Sequence, residues 1–365
     1  MNAIELRHLI HENPELAFEE YKTQELIEKA TKEIGLNPLK VAKTGLIVPI
    51  ENYPEKPYLV LRADMDALPI KEKTGWKYAS KNDYMHACGH DVHVSIMYEV
   101  MKKVVTERLK DNFLFIFQPA EESGGGASHV LESMKEFRVK GAIAMHVTDE
   151  YRFGTVATKS GILFASATEI NLVFKGRAAH IAAYKEGIDA LKTANIFLEK
   201  FYGTSFEASG LVGIGKAYGG NARNIVADTF IIEGTIRSDS LDKSKNMISK
   251  LSSLAQEACK KTGADFSLTT GSIYPQVEVD HDMFKSFETF VKKSKFKFET
   301  CDMKYTGEDF GFFTLVYPSL MFWAGTRMSD EKIGLHNPLF LPEDRIIPEL
   351  SQLIFSYIHS IITTS

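Results

Sequence analysis

The sequence predicts an α/β fold, a mostly parallel sheet flanked by helices, into which a ferredoxin-like α+β domain is inserted. Three observations predict it. Short apolar runs alternate with helical periodicity at both ends of the chain, as parallel sheets covered by helices require. Residues 168–276 follow a separate β-α-β-β-α-β order that is complete in itself. The first rhythm then resumes near Pro275, and the 365 residues exceed the roughly 100–200 of one ordinary domain.

The first 30 residues show apolar positions at helical spacing, with Pro14 interrupting them. Strands are then predicted at YLVLRA (58–63), FLFIFQ (113–118), GAIAMH (141–146) and LMFWAG (320–325), with a helix over 92–108. The insert reads as strand TEINLVFKG, helix GIDALKTANIFLEKFYG, strands LVGIGKAY and NIVADTFIIEGTIRS, helix DKSKNMISKLSSLAQEACKKTG and strand DFSLTTGSIY. The amphipathic PELSQLIFSYIHSII closes the chain. The expected division is 1–167 and 277–365 for the catalytic domain and 168–276 for the insert.

Composition narrows the function. A net charge of −5 and a pI near 6.2 argue against a nucleic-acid or anionic-membrane partner, both of which need clustered basic surface. No apolar run approaches the ~18–20 residues of a membrane span, and the acids in MNAIELRHLIHENPELAF do not suit a signal peptide, so a cytoplasmic protein is expected, with a small polar substrate left open. Three cysteines leave one unmatched in any disulfide scheme, consistent with a reducing compartment. Neither SGGGA (123–127) nor GIGKAYGG (213–220) has the pattern of a nucleotide-binding loop.

Ligands of open α/β sheets bind beyond the carboxyl ends of the strands. Here those ends carry Asp64 and Asp66, Glu121 and Glu122, His146, and a loop leading to His336. Between the first two strands, MHACGHDVH adds Cys88, His90, Asp91 and His93. Taken singly, each has an ordinary explanation: a solvated acid pair, Asp turn residues, a core histidine, a small buried cysteine. Their convergence at one sheet edge favours a transition-metal site, for which thiolate, imidazole and carboxylate donors are suited.

The stretches HENPEL (11–16), RADMDALP (62–69), MHACGHDVH (85–93), QPAEE (118–122), AMHV (144–147), GGNARNIVADT (219–229), EGTIRS (233–238), TGEDFG (306–311) and GLHNP (334–338) together resemble the M20 family of metallopeptidases, in its amidohydrolase branch. The resemblance spans nearly the whole chain and implies a di-metal exopeptidase-like fold. It implies two divalent ions, Zn²⁺ first with Mn²⁺, Co²⁺ or Ni²⁺ as alternatives, held by Cys88, His90, Glu122, His146 and His336. Glu121 is the implied general base, and one of Asp64 and Asp66 is implied to orient a ligand histidine, which of the two being open. The insert resembles a lid and dimerisation domain, implying a homodimer and bringing His180 and Asn224 to the substrate; Arg223 is a candidate for the product carboxylate.

The implied reaction is hydrolysis of the amide of an N-acyl amino acid, an acetylated diaminopimelate first among them. A broader aminoacylase, hippurate-type or dipeptidase activity is the alternative, and an inactive binding protein a distant one. One stretch departs from the family: GRAAHIAAYKEG keeps His180 but lacks the second Gly, the Pro and the second His usual there.

Overall fold

The computed structural model describes residues 1–206 and 210–363. Two compact units divide the chain: 1–163, 277–303 and 308–365 form the first, and 164–276 with 304–307 the second.

The first unit is built on an eight-stranded sheet ordered Leu39–Val41, Gly45–Ile50, Asn112–Gln118, Tyr58–Asp64, Val139–Arg152, Ser319–Arg327, Thr155–Thr158, Lys297–Thr300. The four central strands are mutually parallel. They are buried on both faces, so they read as continuous apolar runs and not as alternating patterns. The expected α/β fold with a mostly parallel, helix-flanked sheet is what the chain adopts. The outer strands Leu39–Val41, Gly45–Ile50, Thr155–Thr158 and Lys297–Thr300 were not among the strands expected; they are short, and several have exposed or half-buried residues that carry no period-two signal.

The expected N-terminal helix is two, Ala3–His11 and Tyr21–Glu33, with Pro14 in the break. Helix His90–Thr106 packs against the sheet and against helices Ala3–His11 and Ile346–Thr363, so it is buried nearly all round. Its start is tight: Gly89 has φ +88°, and a Cβ there would lie 2.4 Å from Val147 Cγ2. This contact sets the Cys88–His90 turn directly against the strand carrying His146.

The second unit has the ferredoxin-like order: an antiparallel sheet arranged Asp265–Tyr274, Ser166–Lys175, Thr229–Ser238, Leu211–Gly219, with two helices. Ile170, Leu172 and Phe174 alternate inward with period two. They meet Phe197 and Phe201 of helix Ala190–Tyr202 and Met247, Leu251 and Ala255 of helix Leu241–Thr262. No helix among the described residues is long and apolar enough to cross a membrane.

Candidate metal centre

At the carboxyl ends of the parallel strands the first unit gathers Asp64, Asp66, Cys88, His90, Glu121, Glu122, His146 and His336. Cys88 Sγ lies 3.3 Å from His146 Nε2. His90 Nε2 faces Asp64 Oδ1 at 3.8 Å, Glu122 Oε1 at 3.9 Å and Glu121 Oε2 at 4.0 Å. His336 Nε2 stands 3.3 Å from the same Glu122 oxygen.

The two aspartates divide the orienting work. Asp66 takes His90 Nδ1 through its carbonyl at 2.9 Å and through Oδ1 at 3.3 Å, which leaves Nε2 pointing at the carboxylates. Its two carboxylate oxygens also accept the backbone amides of Glu121 and Glu122, at 3.1 and 2.9 Å. Asp64 bonds His93 Nδ1 at 2.5 Å instead, and His93 Nε2 accepts the Val147 amide at 3.0 Å. His93 was seen in the motif but given no role by the sequence.

The turn that presents the acid pair is strained. Ala120 has φ +55°, and its amide is held by the buried Glu20 Oε1 at 2.8 Å, while Thr44 donates to Glu20 Oε2 at 2.5 Å. Gly126 follows because a Cβ there would sit 1.7 Å from the Pro119 carbonyl.

Behind the acids lies a buried cation that sequence reading did not assign. Arg62 donates to Gln118 Oε1 (2.9 Å), Asp64 Oδ2 (2.6 Å), Glu308 Oε1 (3.0 Å) and Asp309 Oδ1 (2.8 Å). The last two come from the TGEDFG stretch, and Asp309 in turn accepts the Ala127 amide that follows the acid turn. That stretch was legible as a motif; its partner in RADMDALP was not.

Charge in this cluster is out of balance. Burial opposes charge on Arg62, but Glu308, Asp64 and Asp309 outweigh it and raise its proton affinity. Burial, with Glu308 and Glu122 nearby, pushes the Glu121 carboxyl well above the usual range. Burial also lifts Asp309 to about 8 against the pull of Arg62. His90 would be depressed by burial, yet Asp64 and Asp66 raise it to about 10. Burial and then Glu122 raise the Cys88 thiol, whereas burial and His93 hold His146 neutral. The cluster thus pairs the buried Arg62 and a His90 of raised proton affinity with several carboxylates, two of which, Glu121 and Asp309, are driven towards the neutral form, as burial of like charges requires.

Divalent cations fit this cluster. His90 Nε2 is buried and has no hydrogen-bond partner among the described residues. Ligands about 2.0–2.3 Å from one Zn²⁺ stand about 3.3–3.8 Å apart at tetrahedral angles. The 3.8–4.0 Å separations of His90 Nε2 from the carboxylates are too long for hydrogen bonds, and together with the 3.3 Å contacts of Cys88 with His146 and of Glu122 with His336 they lie near that spacing. The donor sets Cys88–His90–His146 and Cys88–Glu122–His336 are each close enough together to hold a divalent ion.

His180, Asn224 and Arg223 lie in the second unit, all exposed. His180 bridges Ile225, and the Asn224 carbonyl accepts the Ile181 amide at 2.9 Å, so His180 and Asn224 are neighbours there. In the stretch that departs from the family pattern, the His180 ring caps the short turn that follows by accepting the Ala182 amide at 3.2 Å. Arg177 spends its Nε–H on the Glu186 carbonyl at 2.9 Å.

Fold and site thus define an α/β scaffold whose sheet edge presents a donor cluster suited to divalent metal. The chain belongs to peptidase family M20/M25/M40, whose model matches residues 60–359, and is a hydrolase of that family. It is 34% identical over 366 residues to an N-acetyldiaminopimelate deacetylase of Geobacillus sp. (strain WCH70), covering 97% of this chain and 96% of that one. A Bacillus cytotoxicus protein of the same name is 33% identical, with 97% and 96% covered. Among solved structures, a dinuclear metal-binding peptidase of the M20 family from Bacillus subtilis superposes with a TM-score of 0.86 at 28% identity, covering 100% of this chain and 98% of that one. The aminopeptidase PepT of Bacillus cereus shares the fold, with a TM-score of 0.75 at 15% identity over 98% and 97% of the two chains.

Proposed function

We propose that the chain hydrolyses the amide of an N-acyl amino acid, with N-acetyl-L,L-diaminopimelate as substrate and acetate and diaminopimelate as products, a step of lysine biosynthesis. The observation that carries the hydrolytic reading is the buried, unpartnered His90 Nε2 facing three carboxylates at 3.8–4.0 Å, beside the thiol and imidazole donors. The substrate is supported by the names of the two relatives at 34% and 33% identity.

Cys88, His90, Glu122, His146 and His336 would hold two divalent ions, which when bound lower the pKa of water towards about 7 and polarise the substrate carbonyl. Glu121 takes the attacking water's proton and delivers it to the departing amine nitrogen, turning an amide anion into a neutral leaving group. Its raised proton affinity suits the second task, and cationic charge beside it restores the first. Asp66 fixes the His90 tautomer, and the Asp66–amide bonds keep Glu121 and Glu122 in register.

The lid contributes His180 as oxyanion donor, Asn224 to the substrate and Arg223 to the free carboxylate, all on the strength of the family resemblance. A homodimer formed through the lid, in the cytoplasm, completes the proposal.

Metal analysis of the purified protein, followed by acetate release from N-acetyl-L,L-diaminopimelate beside hippurate, N-acetylmethionine and a dipeptide, tests it. Faster turnover of hippurate or the dipeptide would replace the substrate assignment, and a chain without bound metal or any amidase activity would sink the hydrolytic reading.

A further inference from the structure

The strand that carries His146 runs on to Asp149, a residue that no motif includes. The residue is only 6% exposed, and its Oδ2 accepts two consecutive amides of another segment, Ile333 at 2.6 Å and Gly334 at 2.8 Å. Two residues later that segment presents His336.

We propose that Asp149 is a positioning residue that clamps the His336 loop, so that a single strand fixes where both His146 and His336 stand. The inference rests on the proposed metal centre, and three features of the loop support it.

His336 is the exposed member of the donor set. Its side chain is 52% exposed, whereas His90, His146 and Cys88 are buried and held by packing. A side chain without packing takes its position from its backbone, and His336 itself sits at φ +60° with its amide on the Ala87 carbonyl at 3.0 Å.

Gly334 has φ +87°, yet a Cβ there would meet nothing within 4 Å. The glycine therefore serves the backbone turn, not a close approach, and the turn is held from outside by the Asp149 oxygen.

Two further side-chain pairs between the same two segments are exposed. Glu150 meets Lys332 at 3.4 Å, and Arg152 pairs with Asp330. Ion pairs in solvent hold little. Asp149 is itself buried and holds the loop through part-buried, charge-assisted bonds, and its Oδ1 is buried with no hydrogen bond among the described residues. A carboxylate buried for two amides alone serves the loop it holds.

The test uses the full-length protein, wild type and with Asp149→Ala, Asp149→Asn or, as a control on the exposed pair, Asp330→Ala. Zn²⁺ affinity is read by competition with a chromophoric chelator, and amide hydrogen exchange across 328–336 is read in the metal-stripped protein. Asp149→Ala should bind one Zn²⁺ equivalent about 10–100-fold more weakly and exchange the Ile333 and Gly334 amides faster, with excess Zn²⁺ restoring kcat at an unchanged KM. Asp149→Asn keeps an acceptor oxygen and should fall between, which also guards against a misfolded alanine variant. Wild-type affinity and exchange in Asp149→Ala, or equal losses in Asp330→Ala, would overturn the clamp. If the wild type holds no Zn²⁺, the metal centre fails, and the exchange comparison alone still decides whether Asp149 holds the loop.

Discussion

Asp66 and His90 are joined twice, through the aspartate carbonyl at 2.9 Å and its Oδ1 at 3.3 Å, while Asp64 two residues earlier serves His93. The two acids of one motif therefore have separable phenotypes. Asp66→Asn places an amide NH₂ against one of the Glu121 and Glu122 amides and should weaken metal binding about 10–100-fold with the fold intact. Asp64→Ala leaves His93 without its acceptor, but Arg62 retains Glu308 and Asp309, so a loss of about 1–3 kcal/mol in unfolding free energy is expected. Metal titration and urea denaturation of both variants check this; equal metal loss in the two would contradict the division.

Adjacent glutamates should also separate. Glu122 is the one within 3.3 Å of His336, and burial, which would raise its carboxyl, is outweighed by His336 and His90, so it stays anionic as a ligand must. Glu121 points its Oε1 towards the Asp309 amide at 3.4 Å and has the raised proton affinity of a proton carrier. Glu121→Gln should lower kcat by roughly 10²–10⁴-fold with metal content kept, and Glu122→Gln should lose metal. Inductively coupled plasma analysis beside steady-state kinetics distinguishes them; exchanged phenotypes would reverse the two roles.

Glu20 acts on the same turn from the other side. Burial pushes its carboxyl up to about 7, with the Thr44 hydroxyl pulling the other way, so a neutral side chain is well tolerated there. Glu20→Gln keeps an acceptor for the Ala120 amide and should leave kcat within a few-fold of wild type. Glu20→Ala strands that amide beside a backbone at φ +55°, and should cost about 1–3 kcal/mol of stability together with activity. Gln24→Ala, which loses only a 3.2 Å bond to the Gly45 carbonyl, is the control for stability alone. Activity loss in the control equal to that in Glu20→Ala would refute the role.

The sheet and the donor cluster were legible because both rest on local signals: apolar runs mark the central strands, and strand ends mark where Asp64, Glu121 and His146 emerge. The insert was legible because its six elements occur in sequence with clear periods. What stayed hidden depends on distant pairing. Arg62 meets Glu308 across 246 positions, and Glu20 meets Ala120 across 100, so neither pairing shows in the sequence. Asp64 and Asp66 share a motif, and only the end of the strand at Asp64 sends them to different histidines. Edge strands such as Lys297–Thr300 are too short and too exposed to show a period.

A pH dependence of stability should arise at the buried triad of His11, Asp91 and Arg7. His11 Nδ1 meets Asp91 Oδ2 at 2.9 Å, and Arg7 Nε donates to that same oxygen at 3.0 Å. Burial would lower His11, but Asp91 and Glu72 outweigh it and raise it from 6.5 to about 9. A folded-state value above the unfolded one means that the histidinium stabilises the fold fully below about pH 6.5 and that this contribution is lost as pH rises through about 9. Asp91 has the opposite sign: burial is outweighed by Arg7 and His11, its carboxyl is depressed, and its contribution fades only as pH falls below the ordinary carboxylate range. His11→Gln should therefore destabilise most near pH 6, by about 3 kcal/mol at most, and progressively less towards pH 10. Urea denaturation of both proteins across that window measures the gap; a gap independent of pH would mean that folding does not change the proton affinity of His11, and a gap that widens as pH rises from 6 would mean that His11 is neutral in the folded chain.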